Sequence, residues 1–327
     1  MWIKKNIFEV MLLIGIITSV LLFLILFLVL SERLFERTNF YKSRYTDMDK
    51  LKGKERVDFV NTGSTFSFYG IDYDACGVNG LNLALRPQAL EMDLKMLKHF
   101  ENRYNRNAII FIVISDLAFA KRGYDDIGIN DRYYKVPGRK EIKPYNLLKV
   151  IRAKHFPVLY SWKNFLRFYK DIRPDNEYES RVNENDMEAV EADACMRCRA
   201  WLREFGLKDL VDGQQGENFS NVFEYTIGVV ADMITWCKKR YYRPVLVNLP
   251  VTVELEREFS GEFLDSFYYE NIKKAIDKSG YRDVPFIDLQ KYDKLSDYLL
   301  YIDSCRLNKT GREIITRILL SRTERLK

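Results

Sequence analysis

The hydrophobic pattern of the chain changes character along its length. From Val10 to Leu30 the run VMLLIGIITSVLLFLILFLVL carries no charge. At a rise of about 1.5 Å per residue, such a run spans a hydrocarbon layer of about 30 Å. Every face is apolar, so the pattern predicts a transmembrane helix and not a one-sided core helix. No small-residue cleavage site follows, and the run is long for the apolar part of a secretory signal; residues 1–31 therefore read as an uncleaved anchor. Residues 32–55 are polar and charged and read as a linker or a first helix leaving the membrane.

From Val57 onward, short apolar runs alternate with helical periodicity. Val57, Phe59 and Val60 form a strand that stops at Asn61-Thr62-Gly63, and Leu81-Asn82-Leu83-Ala84 alternates as a second short strand. Pro87 stands where a helix can begin, and Ala89, Leu90, Leu94, Leu97 and Phe100 recur at helical spacing to about Arg103. Ala108 to Ile114, AIIFIVI, is the continuous β-branched run of a parallel strand buried on both faces. The rhythm breaks between about residues 118 and 216. Tyr124, Tyr133, Tyr134, Tyr145, Phe156, Tyr160, Trp162, Phe165 and Phe168 precede an acidic stretch from Asp175 to Asp193. This reads as a helical insertion over the sheet edge, its aromatics serving packing or a sugar-facing rim. The α/β pattern then resumes with a helix over Val222–Lys238, a strand over Arg243–Pro250, a helix over Phe263–Lys278 stopped by Gly280, a strand over Val284–Leu289 and a helix over Gly311–Leu320. The pattern predicts an α/β fold: a doubly wound, mostly parallel sheet with a helical insertion, preceded by one transmembrane helix.

Composition narrows the function classes. With 47% hydrophobic and 30% charged residues among 327, the chain can bury a core and is not disordered by composition. The net charge of +6 is spread along the chain, without a nucleic-acid-binding signature, so no nucleic acid is expected as a partner. Five cysteines make no disulfide framework, and Cys195-Met-Arg-Cys198 lacks the second pair that a tetrahedral metal site needs; neither metal nor cofactor is expected.

Two stretches carry candidate chemistry. Gly63-Ser64-Thr65 follows the first strand directly, a turn that suits either a presented nucleophile or an ordinary helix cap. Near the other end stands Asp303-Ser-Cys-Arg-Leu-Asn-Lys-Thr-Gly311, just before the last helix. Together they resemble the SGNH (GDSL-like) hydrolase family over roughly Arg56 to Leu320, in particular its membrane-anchored branch linked to bacterial cell-surface polysaccharides. That family opens with a strand and a Gly-x-Ser turn and closes with Asp-x-x-His, often followed by Leu-Asn-x-x-Gly. The resemblance implies a flavodoxin-like three-layer domain over residues 56–327 and ester hydrolysis or O-acyl (acetyl) transfer. It also implies a surface polysaccharide and membrane-bound acyl-donor machinery, such as an acyltransferase, as partners. Single-pass insertion in the bacterial cytoplasmic membrane, with the domain outside, is the location it implies. The plain charge count opposes that orientation, because Arg33, Arg37, Lys42 and Arg44 follow the span and only Lys4 and Lys5 precede it.

Residue by residue, the resemblance places the nucleophile at Thr65, with Ser64 one position earlier. The closing motif falls on Asp303 and Arg306, where a guanidinium replaces the imidazole. Arginine cannot accept a proton at neutral pH. The chain's two histidines, His99 and His155, fit surface or packing positions. For oxyanion and ligand binding the resemblance points to the backbone after Gly63, to Ala84 where the family has glycine, to Asp116 where it has asparagine, and to Asn308. Three readings stay open: a catalytically degenerate member that binds or organises a glycan, an active acyltransferase or esterase using Ser64 or Thr65, and a single-pass interaction protein of another family.

Overall fold

The computed structural model describes residues 2–38, 53–123, 146–160, 187–207 and 217–324, with single positions between them. They fall into two compact units, one joining the N-terminal helix to residues 146–160, the other holding the sheet.

In the first unit, helix α1 runs over Trp2–Glu36. Its stretch Glu9–Glu36 is long and apolar enough to cross a membrane. Val10 to Leu30 stay exposed apart from half-buried Leu28, as side chains that face lipid would. Of the two readings of the segment after the apolar run, its first residues take the helical one: Ser31 to Glu36 continue α1 without a breaker. Phe35 and Leu28 pack against Val158, in the short helix Pro157–Tyr160, and the Val158 N–H donates to Glu32 Oε2 at 2.9 Å.

The second unit is a mixed α/β structure. Strands β1 (Val57–Asn61), β2 (Gly80–Asn82), β3 (Tyr104–Val113), β4 (Arg243–Asn248) and β5 (Phe286–Asp288) form a five-stranded sheet in the order β2-β1-β3-β4-β5. Every neighbouring pair is parallel. Helices α2 (Thr65–Gly70), α3 (Leu90–His99), α4 (Met187–Glu204), α5 (Glu217–Lys239), α6 (Glu270–Ser279) and α7 (Lys309–Glu324) connect or cover it. Central β3 pairs Ile110 with Val60 on one side and with Pro244 on the other. Ile109, Phe111 and Val113 share a core with Val245 and Val247 and with Ile315 and Leu319 of α7; the alternate residues Ile110 and Ile112 are fully buried too. Both faces of the strand are covered, as its unbroken apolar run requires.

One predicted helix carries a π turn. Residues 263–278 comprise the end of a helical turn, Gly261–Leu264, a π-helical turn at Asp265–Tyr269, and α6, which Gly280 ends at φ +77°. The π turn sets buried Tyr268 to donate its hydroxyl to Ile114 O at 2.9 Å. Of the predicted insertion, the described parts between residues 118 and 204 are mainly helical, with irregular backbone at 121–123, whereas Tyr124, Tyr134, Tyr145, Phe165, Phe168 and the acidic residues before Met187 lie outside the described residues.

The strand order matters for function. From β1 the chain moves to β2 on one side, and β3 pairs on the other. The connections therefore diverge at the carboxyl ends of β1 and β3, which is where open α/β sheets form a crevice.

Candidate functional site

The turn after β1 is built around Gly63. Its φ of +122° excludes most L side chains, and a β-carbon there would lie 2.7 Å from Ser67 Cβ and 3.1 Å from Val113 O. The Gly63 N–H donates to Asp93 Oδ1 at 2.8 Å, and Gln88 Nε2 donates to the same oxygen at 2.6 Å. Asp93 sits in the first turn of α3, buried. Burial pushes its carboxyl up to about 7, against the pull of these two hydrogen bonds. Ser64 occupies the N-cap of α2, yet its hydroxyl makes no cap and instead accepts from Gln88 N at 3.0 Å. Thr65 opens the helix.

A cavity of about 230 Å³ lies at this turn. Gly63, Ser64, Thr65, Gln88 and Asp93 are among the residues that line it, together with Ser115, Lys121, Arg197, Trp201, Glu204 and Cys305 and with apolar side chains such as Leu117 and Phe205. Phe66 meets the Trp201 ring at 5.9 Å between centroids. The volume is below the range of about 300–1,000 Å³ usual for drug-sized ligands, so it suits one small polar unit with an apolar face.

The C-terminal motif closes on itself. Asp303 Oδ1 accepts from the N–H groups of Cys305 at 3.0 Å and Arg306 at 2.8 Å. Its Oδ2 accepts from Arg306 Nε at 2.6 Å and Arg197 Nη2 at 2.9 Å. Four donors fill the acceptor sites of an ionised carboxylate. Arg306 also lies over the Tyr69 ring at 5.3 Å. Burial lowers the affinity of its guanidinium for the proton, but Asp303 more than reverses this. Arg197 reaches on to Asp193 at 2.9 Å, and Asp193 accepts from the Ser304 hydroxyl at 2.5 Å and N–H at 3.1 Å. Burial would raise the Asp193 carboxyl, yet the Ser304 hydroxyl and the Arg197 charge outweigh it and hold the group below the usual carboxylate range. Thr252 Oγ1 donates to Ser304 O at 3.0 Å, tying the loop to the segment after β4.

The fold thus brings the two chemical stretches to one crevice, but not all the sequence-predicted residues into it. Gly63, Ser64 and Thr65 line the cavity; Asp303 and Arg306 stand behind Arg197 and Cys305. Ala84 is buried away from the lining, and its N–H is spent on Asn82 Oδ1 at 3.0 Å, so it offers no oxyanion donor. Asp116 turns instead toward the ends of β4 and β5, where Asn248 Nδ2 donates to it at 3.4 Å and to Asp288 at 3.2 Å. Burial and the neighbouring Asp288 push Asp116 up to about 7. Asn308 is tied to its own loop and to the start of α7: its Oδ1 accepts from Gly311 N at 3.0 Å, and its Nδ2 donates to Leu299 O at 2.8 Å. His99 is exposed in the last turn of α3, the end of that helix away from Asp93, and His155 is exposed in the N-terminal unit. Among the described residues no three His, Cys, Asp or Glu converge as metal ligands, and all five cysteines are free thiols.

Asp93, Gln88, Arg197, Asp193 and Trp201 are the site residues that sequence reasoning missed. An aspartate in a first helical turn is ordinary dipole compensation. Arg197 meets Asp303 only through the tertiary fold. No protein-family model matches the chain, and no curated protein matches it.

Proposed function

We propose that the chain is a membrane-anchored SGNH-hydrolase-like protein of bacterial cell-surface polysaccharide biosynthesis or modification, in which the former catalytic crevice is a binding site. The observation that carries this reading is the state of Asp303, whose oxygens are held by two guanidiniums and two backbone N–H groups. A carboxylate so engaged has no acceptor left to orient a base, and no histidine lines the cavity. Losing a triad member costs on the order of 10⁴-fold or more in rate. Two features support the family scaffold: the strand order of doubly wound sheets, and the meeting of the Gly63 turn with the Asp303 loop at their switch point. Trp201 beside Arg197 and Lys121 suits a sugar ring with polar substituents, because an aromatic face covers the ring while charged donors hold its oxygens.

A screen of bacterial polysaccharide fragments for binding to the full-length protein in detergent tests this reading, with Trp201→Ala as the control. Retention lost in the variant supports it; retention unchanged in the variant places the glycan elsewhere and contradicts it. The double variant Arg306→His with Thr65→Ser restores the family's motif letters. It should gain no aryl-acetate hydrolysis, because Arg197 still holds Asp303.

One observation favours a second reading, an active O-acyltransferase or esterase on the same glycan. Asp93, with its carboxyl raised to about 7, lines the same cavity as Ser64 and Thr65. In that case Asp93→Asn would abolish turnover and leave glycan retention intact.

A further inference from the structure

The helix Leu147–His155 is inside out. At 3.6 residues per turn, Leu147, Leu148 and Ile151 fall within about 100° of one another on one face. In a helix packed as part of a soluble core, that face would be covered. Here it is exposed, with Leu148 at 65%, while Ala153 on the opposite side is completely buried. The same exposure continues through Phe156, Leu159 and Trp162, the last at 53%. Arg152 and Lys154 flank the apolar face at its two edges, and Lys149 and Lys163 add further positive charge. This combination of an exposed apolar stripe and basic flanks distinguishes a helix that lies in a membrane interface.

What the face is aimed at follows from its neighbour. The next short helix is fastened to the end of α1: Val158 packs on Phe35 and Leu28, and its N–H is held by Glu32. Leu28 lies in the last turns of the apolar run, and Glu32 just past it. The exposed stripe is therefore attached where the lipid-facing surface of α1 gives way to polar residues, the level of the headgroups. Long basic side chains there extend toward anionic phosphates while their stems stay against apolar surface.

We propose that residues 147–160 and 162–163 form a second membrane contact, an amphipathic segment lying in the plane of an anionic lipid surface beside the transmembrane helix. Leu147, Leu148, Ile151, Leu159 and Trp162 enter the headgroup and upper acyl region, and Arg152, Lys154 and Lys163 pair with lipid phosphates. The proposal rests on the reading of α1 as a membrane span.

The test uses the full-length protein in vesicles of phosphatidylcholine with phosphatidylglycerol as the minor lipid. Flotation after alkaline carbonate washing reports whether α1 is inserted. The contribution of Trp162 is the difference in fluorescence between the protein and its Trp162→Phe variant. Lipid brominated near the head of the acyl chain should quench that contribution about twofold or more, given burial about 5–10 Å into the interface. Leu148→Glu with Ile151→Glu should remove most of this quenching while the protein still floats. Protein that floats with Trp162 unquenched overturns the proposal, and if the Trp162 signal then shifts with the protein-to-lipid ratio, the face belongs to a second copy of the chain. Protein that does not float overturns the spanning reading and the proposal with it.

Discussion

Two aspartates stand at the crevice, Asp93 buried in its lining and Asp303 half-buried behind it, and they meet opposite fates. Asp303 is surrounded by cations: Arg197 and Arg306 hold one oxygen, and two backbone N–H groups hold the other. Among the described residues, Asp93 has only a neutral amide and a backbone N–H as hydrogen-bond donors, and burial raises it to about 7. The position that the resemblance marks for catalysis is thus the locked one. The position that no motif marks is the one whose protonation responds near neutral pH. Chemistry at this crevice follows from the partners a carboxylate has, more than from its place in a motif.

Ways to break the comparison can be ranked by size. Gly63→Ala should have the largest effect, because it forces a side chain onto φ +122° and against Ser67 Cβ and Val113 O. Strain and overpacking together should cost about 3 kcal/mol or more in chemical unfolding, and a stable variant would mean that the turn can relax away from Asp93.

The pH dependence of stability sharpens the contrast. The folded-state value of Asp93, about 7, lies above the unfolded value of about 3.9, so the folded protein keeps the proton longer. Its contribution is present below the unfolded value and is lost as pH rises toward 7, where a buried charge must form. Relative to Asp93→Asn, the wild type should lose on the order of 2–3 kcal/mol between about pH 5 and pH 8. Parallel unfolding curves at the two pH values would say that Asp93 is solvated. Asp116, raised to about 7 as well, contributes with the same sign in both proteins and cancels in the difference.

Asp303→Ala leaves two guanidiniums without this carboxylate. Both heads are about a quarter exposed, and Arg197 keeps Asp193, so the loss should be about 2 kcal/mol, below the value for a fully buried pair. Asn308→Ala should cost only about 1 kcal/mol, through a lost helix cap, with no change in ligand binding at the crevice. A binding defect in that variant would return Asn308 to the site.

Much of the fold was legible in the sequence because it follows from periodicity. AIIFIVI can only be satisfied by cover on both faces, and β3 has it. The turn at Gly63 was legible because positive φ and close approach both demand glycine. The π turn at Asp265–Tyr269 was not, since its residues keep helical spacing and only the Tyr268 hydrogen bond to Ile114 O marks the difference. At the site, the motif led to Asp303 but not to what surrounds it. Arg197 lies on α4, far away in sequence, and its role exists only once α4 meets the loop after β5. The local partners of Ala84 and Asn308 were not legible either: the Ala84 N–H donates to Asn82 Oδ1, and the Asn308 side chain accepts from Gly311 N and donates to Leu299 O.

The central claim is that the crevice binds without turning over. Fluorophosphonate labelling of the full-length protein at about pH 8, where Asp93 is ionised, tests it most directly, with Ser64→Ala and Thr65→Ala alongside. The account expects no labelling in any of the three folded proteins. Labelling of the wild type that disappears in one alanine variant would identify an activated hydroxyl and contradict it.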